Sequence, residues 1–147
     1  MNKIFSFLIF FSFSTTIFAQ NKNENAVKQI LKAYQIKIEQ LDTTGVSKLF
    51  LKNSSIFESG GSEGTIGHYL EHHLSPELKE FKSFKFNNYT ADVQVDGNYA
   101  IATETYNYVI VTAKNNTEIK RYGVATSVLK KTNGEWKILN THSSSRK

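Results

Sequence analysis

An α+β domain, helices first and a curved antiparallel sheet after them, is what this 147-residue sequence predicts. Three observations carry that reading. Apolar residues recur in steps of three and four from Ala26 to Leu41, the period of an amphipathic helix. From Ser83 onward the pattern changes to a period of two, rich in β-branched and aromatic residues. Asp96-Gly97 and Asn133-Gly134 punctuate that second half as hairpin turns, where glycine supplies a positive φ. Helices segregated from a following meander pack as one sheet wrapped over a long N-terminal helix.

The first nineteen residues stand apart from the fold. Met1-Asn2-Lys3 gives a positive start, Ile4 to Phe13 is almost wholly apolar, and Ala19 is a small residue before Gln20. This is the pattern of a secretory leader cleaved near Ala19-Gln20, with no stable membrane anchor left afterwards. The apolar run is short for a span and is interrupted by Ser12, Ser14, Thr15 and Thr16. One domain over residues 20–147 remains, long enough for a single core. There is no cysteine, so an exported chain of this kind is held by its core without disulfides. That combination points to a bacterial periplasmic or secreted protein.

The formal charge of +5 comes from scattered lysines, and the only adjacent basic pairs are Lys120-Arg121, Lys130-Lys131 and Arg146-Lys147. Nucleic-acid binding needs a clustered basic face interleaved with stacking aromatics, and none is present.

In chain order, Asn21 to Asn25 reads as loose, with Asn25 capping the helix Ala26–Leu41. Asp42-Thr43-Thr44-Gly45 ends that helix, and Thr44 is placed to cap a second short one carrying Val46, Leu49 and Phe50. Ser54 to Glu58 has the length of a short strand. Gly60-Gly61 breaks it, and Gly64 to Leu74 forms a third helix with Ser62 and Thr65 as candidate caps. Pro76 suits the first turn of a further short helix, with Leu78 and Phe81 on its buried face. The strands are then Phe84 to Val95, Tyr99 to Thr112, Glu118 to Lys130 and Glu135 to Ser143. The aromatics spread along them exceed what one thin core layer holds, which suits a curved sheet with a half-filled space beneath it.

Glu58 to Glu77 concentrates the chemistry, with three of the four histidines, four of the eight glycines and the only proline. His68-Tyr-Leu-Glu71-His72 matches an inverted zinc-peptidase signature, but the chain is too small for that enzyme's body. A better grouping is Glu58, His73 and His142. On a helix His72 and His73 diverge by about 100°. His73, four after Tyr69 and three after Leu70, is the one expected on the buried arc. On the last strand Trp136, Ile138, Asn140 and His142 share one face by the period of two, which would carry His142 to the mouth of the core. Glu104, Tyr106 and Tyr108 form another one-face series; inward they would add a carboxyl and hydroxyls, outward they would be cross-strand surface pairs.

The helix Ala26–Leu41 with Asp42-Thr-Thr-Gly45, the meander, and Gly134-Glu-Trp-Lys-Ile138 with His142-Ser-Ser resemble the NTF2-like superfamily. The SnoaL-like and DUF4440 branches, relatives of ketosteroid isomerase, are the most similar part of it. The resemblance implies a cone-shaped barrel with a pocket at its open end, often a homodimer through the outer sheet face. It implies little about activity, since this fold carries isomerases, dehydratases and binding modules alike. The expectation is therefore a pocket binding a small apolar ligand, with Glu58, His73 and His142 at its edge and Tyr69, His72, Tyr106, Asn140 and Trp136 lining it. The alternatives are a cofactor-free acid–base enzyme of isomerase, dehydratase or hydrolase type, or a divalent-metal protein using the same three edge residues. No cofactor other than that metal is implied.

Overall fold

A computed structural model describes residues 12–147, with side chains from Gln20 onward. The leader expected over residues 1–19 lies outside the residues whose side chains are described. Among the described residues no helix is long and apolar enough to cross a membrane.

Helix α1 spans Ser12–Glu39. Asn21 to Asn25, expected to be loose, is helical, so Asn25 caps nothing. The physical reason is tertiary: Asn23 Oδ1 accepts from Lys131 Nζ at 2.9 Å and from Trp136 Nε1 at 3.4 Å, which holds this polar turn against the last hairpin. After α1, a short 3₁₀ turn covers Val46–Leu49. Gly45 caps it at φ 80° rather than Thr44.

Strand β1 covers Phe50–Glu58, starting earlier than expected, and β2 covers Gly61–Gly64 where only a break was foreseen. Ser59 and Gly60 both take positive φ (49° and 90°), which folds β2 back on β1 as a hairpin. A continuous helical stretch follows: α2 Ile66–Tyr69, a wider π turn over Leu70–Leu74, and α3 Ser75–Lys79 with Pro76 in its first turn. Thr65 is the cap, its hydroxyl accepting from His68 N. Ser54 Oγ accepts from Ile66 N at 3.1 Å and ties the helical stretch to β1.

The meander is β3 Phe81–Asp96, β4 Tyr99–Thr112, β5 Glu118–Thr132 and β6 Glu135–Arg146. Phe81, expected on a helix, opens β3 instead. The six strands run in the order β2-β1-β6-β5-β4-β3, and β1 pairs in parallel with β6, a contact the sequence pattern did not suggest. Asn133 and Gly134 have φ of 53° and 84°, the type I′ geometry expected there. The other tight turn is Gly97-Asn98, with only Gly97 at positive φ (55°), so it is not of that type.

Two bulges decide which side chains face inward. On β6, Ile138 pairs with Leu129 and Asn140 with Val128, leaving Leu139 as an extra residue. On β3, Asn87 pairs with Asn107 and Thr90 with Thr105, so Asn88 and Tyr89 together face Tyr106. Each extra residue reverses the alternation beyond it and bends the strand. The resulting sheet is curved and unclosed, and α1 fills its concave side.

The packed core lies toward the β3–β4 and β5–β6 turns. There Val27 and Leu31 of α1 meet Val93, Ala102, Leu129, Trp136 and Ile138, all under 7% exposed. Each fully buried aliphatic contributes about 1.5–3 kcal/mol. The space beneath the second half of α1 is not filled.

Candidate functional site

That space is a cavity of about 130 Å³. Its helix wall is Leu31, Tyr34, Gln35 and Ile38, spaced along one stripe of α1. Glu58, Tyr69, Leu74 and Leu78 close a second side, from β1 and the helical stretch. The sheet wall is Phe84, Phe86 and Tyr89 of β3, Glu104, Tyr106 and Tyr108 of β4, and Ala125 and Ser127 of β5. The aromatic rings form a connected series, with Phe84 4.8 Å from Phe86 and 5.2 Å from Tyr108, and Phe86 5.1 Å from Tyr106.

Glu104 is the polar centre of the sheet wall. It is 9% exposed, accepts from Tyr89 Oη at 2.6 Å and lies 3.4 Å from Ser127 Oγ. Burial pushes its carboxyl above the ordinary range, and those two hydrogen bonds offset only part of that. Tyr89 reaches it only because of the β3 bulge: Phe84 and Phe86 face inward on even positions, Tyr89, Ala91 and Val93 on odd ones. Neither the bulge nor this pair was legible in the residue pattern.

The rim is built on Glu58 and His73. Tyr69 Oη donates to Glu58 Oε2 at 3.3 Å. His73 stacks on the Tyr69 ring at 5.2 Å. Its Nε2 is 3.4 Å from Glu58 and 3.6 Å from Glu77, and its Nδ1 is 3.2 Å from Glu63. Burial, and then the charge of Glu58, raise the carboxyl of Glu77. Burial likewise holds the phenols of Tyr34, Tyr69, Tyr89 and Tyr106 above the usual range, so they act as neutral hydroxyls.

Glu58 and His73 therefore meet, and Tyr69 and Tyr106 line the same cavity. The other expected positions do not join them. His142 lies exposed on the convex face, paired with Thr126 and edge-on to Phe57 at 6.4 Å. The Leu139 bulge is the cause: it turns Thr141 and Ser143 inward and His142 and Asn140 outward. His72 points to solvent and lies against His68 at 4.6 Å with the rings tilted by 45°, and Trp136 belongs to the packed core. A metal site from Glu58, His73 and His142 is thus not assembled, and among the described residues no three His, Asp or Glu side chains are grouped to hold an ion. The Glu104, Tyr106 and Tyr108 series faces inward.

Tyr106 is held by a close approach. Its ring lies against Gly123 of β5, where a β-carbon would fall 2.2 Å from the ring. Glycine is the one residue that leaves room for the ring in this position.

The SnoaL-like domain profile matches residues 27–146 of the chain. Among solved structures, an NTF2-like superfamily protein from Salmonella enterica serovar Typhimurium aligns over 86% of this chain and 93% of its own, with TM-score 0.78 and 20% identity. A ketosteroid isomerase-like protein from Erwinia carotovora atroseptica aligns over 86% and 98%, with TM-score 0.74 and 14% identity. Hexachlorocyclohexane dehydrochlorinase LinA-type3 from Novosphingobium barchaimii aligns over 86% and 88%, with TM-score 0.70 and 12% identity. At these identities the likeness is one of fold. Curated proteins gave no sequence match.

Proposed function

The chain belongs to the SnoaL-like domain family of the NTF2-like superfamily, and on that premise we propose that it takes up a small, largely apolar molecule with one polar end. The observation that carries this is the 130 Å³ cavity, walled by aromatic and aliphatic side chains around the buried Glu104–Tyr89 pair. Protein interiors are otherwise filled to crystal-like density. A void beside a carboxyl costs stability twice, in lost packing and in desolvation. Such a pocket with convergent polar groups is the default place for a ligand. A cavity of about 150 Å³ accepts benzene, so one ring sets the scale.

The direct test fills the cavity. Ala125 lines it and is 7% exposed, so Ala125→Phe puts a ring where the ligand would lie. One-ring compounds are expected to raise the melting temperature of the wild type, by about 2.7 kcal/mol of stability at a hundred times Kd. In the variant they should raise it little or not at all. Equal shifts in both proteins, or none in the wild type, would exclude the cavity as the site.

A second reading is favoured by one observation, the burial that holds Glu104 toward its neutral form. A protonated carboxyl facing a pocket can act as an acid, and Glu58, oriented by Tyr69 and His73, as its complementary base. Relatives with isomerase-like and dehydrochlorinase names are in keeping with that chemistry.

The proposal extends to an exported homodimer. The leader pattern supports export. The exposed Tyr99, Ile101, Tyr122 and Val124 on the convex face support pairing of two copies there. Intact mass and sedimentation of the exported protein check both: a chain beginning at Gln20, with twice the mass of one chain in solution, is expected. A chain retaining Met1, or sedimentation as a monomer, would contradict the corresponding half.

A further inference from the structure

The sequence carries 18 Lys and Arg against 13 Asp and Glu. The cavity inverts that balance. Glu58, Glu77 and Glu104 line it, and among the described residues no Lys, Arg or His does. Four lysines are engaged elsewhere: Lys37 with Asp42, Lys120 with Glu118, Lys137 with Glu135, Lys131 with Asn23. His73 stands at the rim between Glu58, Glu63 and Glu77, and on that side alone an imidazole can offset the carboxyls when it carries a proton.

Among the described residues Glu104, deeper in the wall, has only neutral partners. Tyr89 and Ser127 give it hydrogen bonds, Tyr106 lies beside it on β4, and Gln35 faces the same cavity from α1 with its carbonyl oxygen taken by Lys32. The ammonium of exposed Lys32 sits 5.8 Å from the centre of the Tyr89 ring, and Lys32 is not part of the cavity lining. A buried carboxyl without a counter-charge is costly in ionised form. The wall around it is a run of phenyl and phenol rings, surfaces that attract an organic cation through their electron-rich faces.

The geometry points to a ligand class: a small amine bound as its ammonium ion, nitrogen toward Glu104 and apolar body along Phe84, Phe86 and Tyr108. This rests on the pocket reading above and narrows it. The ammonium supplies the counter-charge that the cavity lacks, and its apolar part covers the rings. Burial holds the carboxyls of Glu104 and Glu77 up toward the neutral form, and a cation beside them reverses that. A carboxylate or phosphate ligand would instead face three glutamates and no donor of positive charge.

Three one-ring probes of nearly equal size separate the cases by calorimetry at pH 7: benzylamine as the cation, benzyl alcohol as the neutral analogue, benzoate as the anion. Benzylamine is expected to bind at least roughly tenfold more tightly than benzyl alcohol, a modest demand on a desolvated cation–aromatic contact with a nearby carboxylate. Benzoate should bind weakest. Glu104→Gln should abolish the preference, bringing benzylamine down to the affinity of benzyl alcohol. Benzyl alcohol binding as well as benzylamine to the wild type, or benzoate binding best, overturns the ligand class and leaves the pocket standing. No binding by any of the three overturns both. Should the variant fold poorly, the ordering on the wild type decides alone.

Discussion

Gly123→Ala is expected to destabilise the protein by roughly 1–3 kcal/mol, the usual cost of forcing atoms into a packed site. The sign is informative, because glycine within a strand is ordinarily the worse residue by about 0.5–1 kcal/mol. Here the new methyl would meet the Tyr106 ring at 2.2 Å, with two more ring atoms at 2.8 Å. The ring is flanked by Phe86 at 5.1 Å and Tyr89 at 6.4 Å, so the way open to it is into the cavity. Ligand uptake should fall with stability. In a Tyr106→Ala background the same change should become neutral or stabilising, and urea unfolding of the four proteins measures that coupling directly. Additive costs would mean the ring does not rest on Gly123.

Glu104→Gln is expected to stabilise the protein at pH 7–8 and to leave it nearly unchanged near pH 3. Burial raises this carboxyl in the folded state above its ordinary value of 4.5. Between the unfolded and the folded value the native state holds the extra proton, so the stability of the wild type falls as pH rises through that window. Below it both states are protonated and glutamine is a close mimic. Glutamine keeps a carbonyl to accept from Tyr89, whose hydroxyl would otherwise lose its partner. Each kilocalorie gained should read as roughly 3–6 °C in Tm for a chain of this size. Melting curves across pH that stay parallel for the two proteins would contradict a buried, charge-averse Glu104.

The parts of this fold written in local chemistry were legible. The three-and-four spacing from Val27 to Ile38 marks the buried stripe of α1, and Asn133-Gly134 marks its turn. Glu58 and His73 could be paired because a loop and a helix close in sequence had to bring them together. What misled the strand reading was counting by twos. Nothing in Ile138-Leu139-Asn140 announces an extra residue, and a single one moves His142 from the concave face to the convex one. The same arithmetic hid Tyr89, which alternates with the wrong neighbours until Asn88 (φ 52°) is passed. Bulges respond to the strain of curving a whole sheet, which is a tertiary demand and leaves little local trace. Glu104 was ambiguous for a related reason, since a charged residue on a strand suggests the outer face until the hydroxyls waiting inside are known.

The proposed ligand site is the concave cavity, not the convex face. Methyl NMR spectra recorded while benzyl alcohol is titrated into the wild type test it most directly. Shifts are expected at Leu31, Ile56, Ile110 and Ala125, which line the cavity, and none at Ile101 or Val124 on the other side of the sheet. Shifts confined to Ile101 and Val124, or a spectrum that does not move, would contradict it.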